Sequence, residues 1–259
     1  MRPALNPSVT AGDHQDTPLL SVIVPFYNEA ASIPPLLDEL RLALAQLGIA
    51  AEVIAVNDGS VDSTGVVLES AAAAWPQLQV TQLARNSGQA AALRHGFQRA
   101  RGAWLAMLDG DGQNPPAELA QLWARRDSAD MIAGARIGRK DSWLRRGMSR
   151  LANAVRRRLL CDGVTDTGCS LKLFRREVAG SFLPIRTMYS FLPAFAVAAG
   201  FTVCEVPVAH RPRRAGVSHY GLRVMAITPL LDLLALCWLL RRISPRTTAR
   251  RQPDDSAGG

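Results

Sequence analysis

The chain has 259 residues, of which 48% are hydrophobic and 20% are charged, so its composition excludes a fibrous or wholly disordered protein. Its formal net charge is +8, which favours anionic partners such as phosphorylated substrates, anionic lipid surfaces or nucleic acid. None of its four cysteines belongs to a Cys-x-x-Cys pair, so the spacing excludes the usual zinc and thioredoxin-like motifs and predicts free thiols.

Four parts follow one another along the chain. Residues 1–18 contain no apolar stretch and predict a disordered lead rather than a secretory signal. Residues 19–224 carry the regular apolar pattern of a folded domain. Residues 225–242 predict an apolar helix that is too short for a membrane span and contains an aspartate. Residues 243–259 predict a disordered basic tail.

Strands and helices alternate through the first half of the folded domain. The run at 19–28 is β-branched and apolar, whereas 29–48 repeats leucine at helical spacing and ends at a glycine. Further strands are predicted at 51–60, 78–86 and 103–112, and further helices at 63–75 and 88–102. This alternation predicts an α/β fold with a mostly parallel sheet and helices on both faces.

Each of these strands ends in polar residues. Because the carboxyl ends of parallel strands share one edge of a sheet, and ligands bind at that edge, we expect the strand ends to converge on one site. The polar strand ends are Tyr27 to Glu29, Asn57 to Ser60, Arg85 to Asn86 and Asp109 to Asp111.

The sequence Asp109-Gly110-Asp111 brings two carboxylates to the end of a buried strand, with Gln113 just beyond. Two close carboxylates repel each other unless a cation lies between them, and oxygen ligands suit Mg²⁺ or Mn²⁺. A solvated turn is the alternative, since Asp-Gly is a common turn dipeptide. The other polar strand ends at the same edge favour the metal interpretation.

Six motifs in fixed order resemble the family-2 glycosyltransferases of the dolichol-phosphate-mannose synthase type over residues 19–225. They are SVIVPFYNEAASI, VNDGSVDST, LARNSGQAAALRHGFQRARG, MLDGDGQNPPAEL, DTGCSLKLFRREV and EVPVAHRPRRAGVSHYG. The resemblance implies the nucleotide-diphospho-sugar transferase (GT-A type) fold. It also implies an inverting, metal-dependent transfer of a sugar from a GDP- or UDP-sugar to a polyprenyl phosphate such as undecaprenyl or dolichyl phosphate.

The resemblance also implies roles for the residues at the strand ends. Asp109, Asp111 and Gln113 would hold the Mg²⁺ or Mn²⁺ that bridges the donor diphosphate, and Asp109 would also touch the nucleotide. Base and ribose would be held by four residues: Pro25, Tyr27, Glu29 and Asp58. An Asx-type turn is the alternative interpretation of the Asn-Asp-Gly-Ser stretch that contains Asp58.

Two basic regions resemble the family's phosphate-binding segments. Arg136, Arg145 and Ser149 match its acceptor-phosphate residues, although a solvated cationic face accounts equally well for Arg145. The segment HRPRRAGVSHY resembles the loop that closes over the donor diphosphate, with Arg213 and Ser218 as the matching positions.

The second basic region contains two histidines, of which one differs from the family's usual residue and the other fits two roles. His219 stands where the family usually has lysine, and a partly charged histidine would make diphosphate binding depend on pH. His210 fits a structural strand-end role as well as a catalytic one.

The acceptor decides whether a general base is needed. A sugar hydroxyl must lose a proton, whereas a lipid phosphate is already anionic and needs positioning arginines instead. No Gln-x-x-Arg-Trp stretch of processive polymerases is present, and Asp166 is the nearest base candidate, with a loop-capping role as the simpler alternative. The sequence therefore favours a lipid phosphate over a glycan hydroxyl.

The arginine-rich second half and the apolar helix at 225–242 indicate contact with an anionic membrane surface. Arg156, Arg157 and Arg158 point around much of a helix and predict a solvated or membrane-facing surface. The apolar helix fits either the bilayer interface or packing on the domain. We expect a peripheral enzyme of cell envelope biosynthesis at the cytoplasmic face of the membrane. An aromatic content of 6% with no stacking platform argues against the alternative of a nucleic-acid-binding protein.

Overall fold

The computed structural model describes residues 18–137, 156, 158–160, 162–212, 232–239 and 242. Its strands are β1 (Leu20–Phe26), β2 (Ala51–Asn57), β3 (Leu78–Gln82), β4 (Trp104–Met107), β5 (Met131–Arg136), β6 (Lys172–Arg175) and β7 (Val203–Val208). Its helices are α1 (Ile33–Leu47), α2 (Thr64–Ala73), α3 (Gln89–Arg99), α4 (Leu119–Ala124), α5 (Arg176–Ala179) and α6 (Met188–Ala198), and residues 232–239 are also helical.

The strands form one seven-stranded sheet in the order β3-β2-β1-β4-β6-β5-β7. β6 runs antiparallel to both of its neighbours, and the other described pairs are parallel. The expected mostly parallel sheet is therefore confirmed. Each expected strand of the first half forms but is shorter than expected at its carboxyl end, so that all of the polar end residues except Asn57, the last residue of β2, lie in loops at one edge of the sheet.

Both faces of the sheet are covered, which explains why β1 is apolar apart from Ser21, whose buried hydroxyl donates to the Glu52 carboxylate. Val22 and Val24 belong to the core beneath α1, α2 and α4, and Ile23 belongs to the core beneath α3 and α6. α1 presents most of its leucines to the first of these cores at helical spacing and ends at Gly48, whose φ of 62° stops the helix. The helices thereby fix the strands so that β1, β2, β3 and β4 end side by side.

The segment around residues 156–164 contradicts one sequence expectation. Arg156 is buried, not solvated, and its guanidinium is paired with Asp162 while Nη2 donates to the carbonyl oxygen of Val164 over 2.6 Å. Arg158 is exposed, as expected, and Arg157 lies outside the described residues. Consecutive arginines point in different directions around a helix, so one of them faces the core. The ion pair with Asp162 offsets the cost of burying the charge of Arg156.

The helix at residues 232–239 packs on the domain by one face. Leu233 and Leu236 enter the core beneath α3 and α6. The hydroxyl of Thr187, which directly precedes α6, donates a hydrogen bond to the Asp232 carboxylate. The opposite face exposes 55% of Leu234 and 59% of Trp238. The described part of this segment therefore packs on the domain by one face and leaves an exposed apolar face, whose contact with a bilayer stays a prediction.

Within the described ranges, no helix combines the length and the apolar character that crossing a bilayer requires.

Candidate active site

Hydrogen bonds join the carboxyl ends of β1 and β2. The backbone N–H of Asn28 donates to Ser60 Oγ over 2.9 Å, and Asn28 Oδ1 accepts from the N–H of Val61 over 2.9 Å. The N–H of Glu29 donates to Thr64 Oγ1 over 3.0 Å. Asn28 has a φ of 53°, which asparagine tolerates better than most residues and which turns the chain into this contact.

Asp58 joins the end of β2 to the loop before α3. Its Oδ1 and Oδ2 accept from the backbone N–H groups of Ser87 and Gly88, each over 2.8 Å. Burial raises the pKa of the Asp58 carboxyl, and the two N–H donors oppose that rise. Both carboxylate oxygens thus face the protein backbone in this structure. The expected contact with base or ribose stays a prediction.

The other expected nucleotide residues lie at the end of β1. Pro25 is within the strand, and Tyr27 and Glu29 follow it, both half-buried at the same edge as Asp58. A Cβ on Gly110 would lie 2.4 Å from the Phe26 ring, so only glycine lets the end of β4 approach the end of β1 this closely. The structure therefore places the expected nucleotide residues and the carboxylate pair at the same edge of the sheet, and the role of these residues stays a prediction.

The carboxylate pair lies directly after β4. Asp109 Oδ1 accepts from Gln89 Nε2 over 2.6 Å, and Asp111 Oδ1 accepts from the N–H of Gln113 over 3.0 Å. Burial, together with the charge of Asp111, raises the pKa of Asp109 to about 6. Mutual repulsion of this kind is relieved when a cation binds between the groups, so the pair fits a divalent ion.

The oxygen donors at this place suit Mg²⁺ or Mn²⁺, with Asp109 and Asp111 as the charged ligands and Gln113 as a partly exposed amide beside them. Among the residues that the structure describes, no group of three or more His, Cys, Asp or Glu side chains is arranged to hold a metal ion. The expected set contains only two such residues together with an amide. The metal-binding role of the set stays a prediction.

Two hydroxyl groups that the sequence did not single out fix the carboxylate loop. Ser32 Oγ donates to the carbonyl oxygen of Gly110 over 2.7 Å. Ser170 Oγ accepts from the N–H of Asp109 over 3.2 Å and from Asn114 Nδ2 over 2.6 Å. Serine is too common in loops for its position in sequence to reveal such contacts.

Arg136 and Asp166 form an ion pair at the neighbouring end of β5. Arg136 Nε donates to Asp166 Oδ2 over 2.7 Å, and Nη2 donates to Oδ1 over 2.8 Å. Burial opposes the charge of Arg136, but the Asp166 carboxylate outweighs it and the pKa of Arg136 is raised. The acceptor-phosphate candidate and the base candidate of the sequence are therefore partners of each other.

Lys172 is the functional candidate that the sequence interpretation missed. It is completely buried in β6, and its ammonium donates to the carbonyl oxygens of Thr167 and Cys169. Burial lowers its pKa, and nearby Asp109 and Asp166 oppose that change. A lysine within the apolar run SLKLF was the available signal.

The exit of β7 reaches the same edge of the sheet. The N–H of Arg211 donates to the carbonyl oxygen of Gln113 over 2.9 Å, and its Nη1 pairs with Glu39 on α1 over 2.9 Å. His210, half-buried, directly precedes this contact. The structure thus places the start of the basic segment beside the carboxylate loop.

Five expected phosphate-binding residues lie outside the described residues: Arg145, Ser149, Arg213, Ser218 and His219. Their roles stay predictions.

Residues 21–182 match the family described as glycosyl transferase family 2. The chain belongs to this family. Its seven-stranded sheet, with a carboxylate pair after β4, carries the described parts of the six sequence motifs. The resemblance to family-2 glycosyltransferases is thereby confirmed.

Two relatives have the same activity in their names. The chain is 38% identical over 221 residues to an undecaprenyl-phosphate 4-deoxy-4-formamido-L-arabinose transferase of Pseudomonas aeruginosa, covering 85% of this chain and 65% of the relative. It is 37% identical over 227 residues to the transferase of that name from Aeromonas hydrophila, covering 87% of this chain and 69% of the relative. The chain thus spans about two thirds of the length of these relatives.

Solved structures confirm the GT-A fold. Glucosyl-3-phosphoglycerate synthase of Mycobacterium tuberculosis, in complex with Mn²⁺, UDP and glucosyl-3-phosphoglycerate, superposes with a TM-score of 0.65 at 16% identity, covering 85% of this chain and 80% of that one. A mannosyltransferase from Pyrobaculum calidifontis in complex with GDP-Man and Mn²⁺ gives 0.64 at 21% identity, covering 93% and 69%.

Proposed function

We propose that this family-2 protein transfers a sugar from a nucleoside-diphosphate donor to a polyprenyl phosphate, with inversion at the anomeric carbon and with Mg²⁺ or Mn²⁺ as cofactor. The observation that carries the proposal is the arrangement at one edge of the sheet, where a repelling carboxylate pair follows β4 and an oriented arginine ends β5. The first suits a metal-bound diphosphate, and the second suits an anionic acceptor.

The donor would lie over the ends of β1, β2 and β4. Asp109, Asp111 and Gln113 would hold the cation, which stabilises the charge that develops on the departing nucleoside diphosphate. Pro25 and Tyr27 would contact the nucleotide from the neighbouring strand end. Ser32 supports this arrangement because its hydroxyl fixes the backbone between the two carboxylates.

The acceptor phosphate would approach from the side of Arg136. A phosphate oxygen is already anionic, so it attacks the anomeric carbon in a single displacement without giving up a proton, and the nucleoside diphosphate leaves from the opposite face. Asp166 supports this assignment because it pairs with Arg136, which suits a carboxylate that orients the guanidinium better than one that removes a proton.

The donor base and the lipid acceptor are argued from the relatives. The two transferases have undecaprenyl phosphate in their names, and they are 38% and 37% identical to this chain over 85% and 87% of its length. The solved neighbours bind UDP in one case and GDP-Man in the other, so a donor panel must include both nucleotides. We therefore propose undecaprenyl phosphate as acceptor, and test the sugar and the base together.

A membrane surface fits the outer face of residues 232–239. Leu234 and Trp238 are exposed on that face, and the guanidinium of Arg242 lies 4.7 Å from the centre of the Trp238 ring. An exposed tryptophan beside an arginine suits the boundary between acyl chains and anionic headgroups. We propose that this face brings the enzyme to the lipid acceptor at the cytoplasmic side of the membrane.

The test is transfer of label from UDP- and GDP-sugars to undecaprenyl phosphate with Mn²⁺, with Mg²⁺ and with EDTA. We expect metal-dependent label in the lipid phase from one donor, and loss of that label in Asp111→Asn. A matched control is Asp127→Asn, which changes an exposed aspartate after α4.

Hydrolysis of a donor without labelled lipid would keep the nucleotide site and overturn the acceptor, and glycan hydroxyls would be tested next. Full turnover by Asp111→Asn with metal present would overturn the metal role of the carboxylate pair.

A further inference from the structure

A lysine without exposed surface lies directly below the candidate site. Lys172 is 0% exposed and pairs across the sheet with Met107 of β4 on one side and Ala133 of β5 on the other. β4 leads to the carboxylate pair two residues later, and β5 ends at Arg136. Lys172 therefore lies between the strands that supply the metal side and the acceptor side.

The ammonium of Lys172 is directed at one loop, residues 166–170. It donates to the carbonyl oxygen of Cys169 and, over 3.4 Å, to that of Thr167. The carbonyl oxygens of an irregular loop have no partner within a helix or sheet. An ammonium has three N–H donors, so a buried lysine can bind two such carbonyl oxygens and hold them in place. Lys172 thus holds the middle of the loop, whereas the N–H of Asp166 at its start donates to Glu205 Oε1 over 3.0 Å.

The same loop touches both halves of the site. Asp166, at its start, orients Arg136 through the two-point ion pair. Ser170, at its end, contacts the N–H of Asp109 and the side chain of Asn114. A shift of the loop would therefore move the arginine and loosen the backbone of the carboxylate pair together.

We propose that Lys172 is a positioning residue that fixes loop 166–170, so that Asp166 holds Arg136 in place for the acceptor phosphate. The acceptor part of this inference rests on the proposed function. Lys172 does not touch substrate; it acts through the loop.

Filling of the core does not account for a lysine at this position. An apolar side chain of similar length occupies the same space without the cost of removing an ammonium from water. The carbonyl contacts and the neighbouring carboxylates offset that cost, and a methionine cannot make them. Lys172→Met is therefore a variant that keeps the volume and removes the proposed role.

Three backbone N–H groups report on the loop by hydrogen exchange followed by NMR. The N–H of Cys169 donates to the carbonyl oxygen of Asp166, and the N–H of Arg136 donates to the Asp166 carboxylate. The N–H of Asp109 donates to Ser170 Oγ. In Lys172→Met we expect these three to exchange about tenfold faster, as in a local opening. The N–H of Asp58, which donates to Phe26, serves as the unchanged reference.

The matched control is Leu173→Met, a volume-conserving change of the next buried residue in β6. It should leave all four N–H groups as in the wild type. If Lys172→Met accelerates all four N–H groups equally, or none, the positioning role is overturned. Where Lys172→Met does not fold, Lys172→Gln replaces it, because its shorter side chain keeps a donor that cannot span both carbonyls.

Kinetics then test the acceptor part. We expect Lys172→Met to raise the KM for undecaprenyl phosphate about tenfold and to leave the KM for the sugar nucleotide within about twofold. A parallel rise of both KM values would overturn the specific link to the acceptor. If the wild type labels no polyprenyl phosphate, the proposed function fails, whereas the exchange result still decides whether Lys172 fixes the loop.

Discussion

Arg136 contacts Asp166 at three points, because its backbone N–H donates to Oδ2 over 3.0 Å in addition to the two donors of its guanidinium. The side chain is thereby locked at both ends. Nε and Nη2 use two of the five N–H donors of a guanidinium, so an arginine held in this way still has donors to offer to a phosphate. Under the proposed function, the role expected of Asp166 is therefore orientation of Arg136 and not proton removal.

Asp166→Ala should therefore weaken acceptor binding. We expect the KM for the polyprenyl phosphate to rise about tenfold with a smaller change in kcat, because the guanidinium loses its fixed direction while its charge remains. Steady-state kinetics against both substrates provides the measurement. A fall in kcat of about a thousandfold at unchanged KM would instead make Asp166 a general base.

The matched control for Asp166→Ala is Asp130→Ala. Asp130 also pairs with an arginine, Arg175, at the opposite edge of the sheet, where Arg175 ends β6. This variant should leave both KM values unchanged. An equal effect of the two variants would point to general destabilisation.

Gly59 tests how closely the end of β2 must approach the loop after β3. Its φ is +65°, and a Cβ would lie 2.3 Å from the carbonyl carbon of Arg85. Gly48 has a similar φ of +62° but no atom within 4 Å of a Cβ. Gly48→Ala should cost about 1 kcal/mol in the free energy of unfolding, from backbone strain alone.

Gly59→Ala should cost about 3 kcal/mol or more, because backbone atoms must move as well. Urea unfolding of the two variants gives the difference directly. Equal losses for the two glycines would show that the loop after β3 yields without strain, and that Asp58 is not held against it rigidly.

The fold was predictable from sequence because its signals are local. Alternation of apolar strands with amphipathic helices is read over windows of about 10 to 20 residues, and it places Asp58 and Asp109 at one edge without knowledge of any contact. The partners of these residues were not predictable in the same way. Asp58 faces the N–H groups of Ser87 and Gly88, which lie about thirty residues away and carry no distinctive side chain for this purpose.

Charged residues in the second half show the same limit. Arg156 and Lys172 look like surface residues by type, and only tertiary structure reveals that one meets Asp162 and the other the carbonyl oxygens of a loop. Burial of a charge depends on a partner that is distant or irregular in sequence. The periodicity of apolar residues therefore does not predict that such charged residues are buried.

Glu52 gives a prediction for the dependence of stability on pH. Burial disfavours its charge, but hydrogen bonds from Ser21 Oγ and from the backbone and side chain of Arg101 outweigh burial, so its pKa is lowered from 4.5. A lowered pKa in the folded state means that the unfolded state binds more protons. The stabilisation is therefore complete above pH 4.5 and is lost as the pH falls through the lower, folded-state pKa.

Glu52→Gln should lower the free energy of unfolding at pH 7 and reduce the slope of stability against pH below 4.5. Urea unfolding between pH 3 and pH 7 measures both effects. Glu69→Gln, at an exposed position in α2, is the matched control and should change neither. An unchanged acid slope in Glu52→Gln would mean that this carboxylate does not govern acid unfolding.

The outer face of residues 232–239 gives a prediction about membrane binding. Trp238→Ser removes the largest exposed apolar group of that face and the ring under Arg242, whereas Leu233 and Leu236 keep the helix on the domain. Burial of a large apolar side chain in the bilayer contributes about 1.5–3 kcal/mol to binding. We therefore expect the affinity of Trp238→Ser for vesicles containing phosphatidylglycerol to fall at least about tenfold.

Leu42→Ser is the matched control, since Leu42 is 64% exposed on α1, which covers the opposite face of the sheet. Co-sedimentation with vesicles of increasing phosphatidylglycerol content measures both variants against the wild type. The binding of Leu42→Ser should equal that of the wild type. If both variants bind equally well, the apolar face at 232–239 is not the membrane contact, and the proposed lipid acceptor would have to reach Arg136 from another side of the domain.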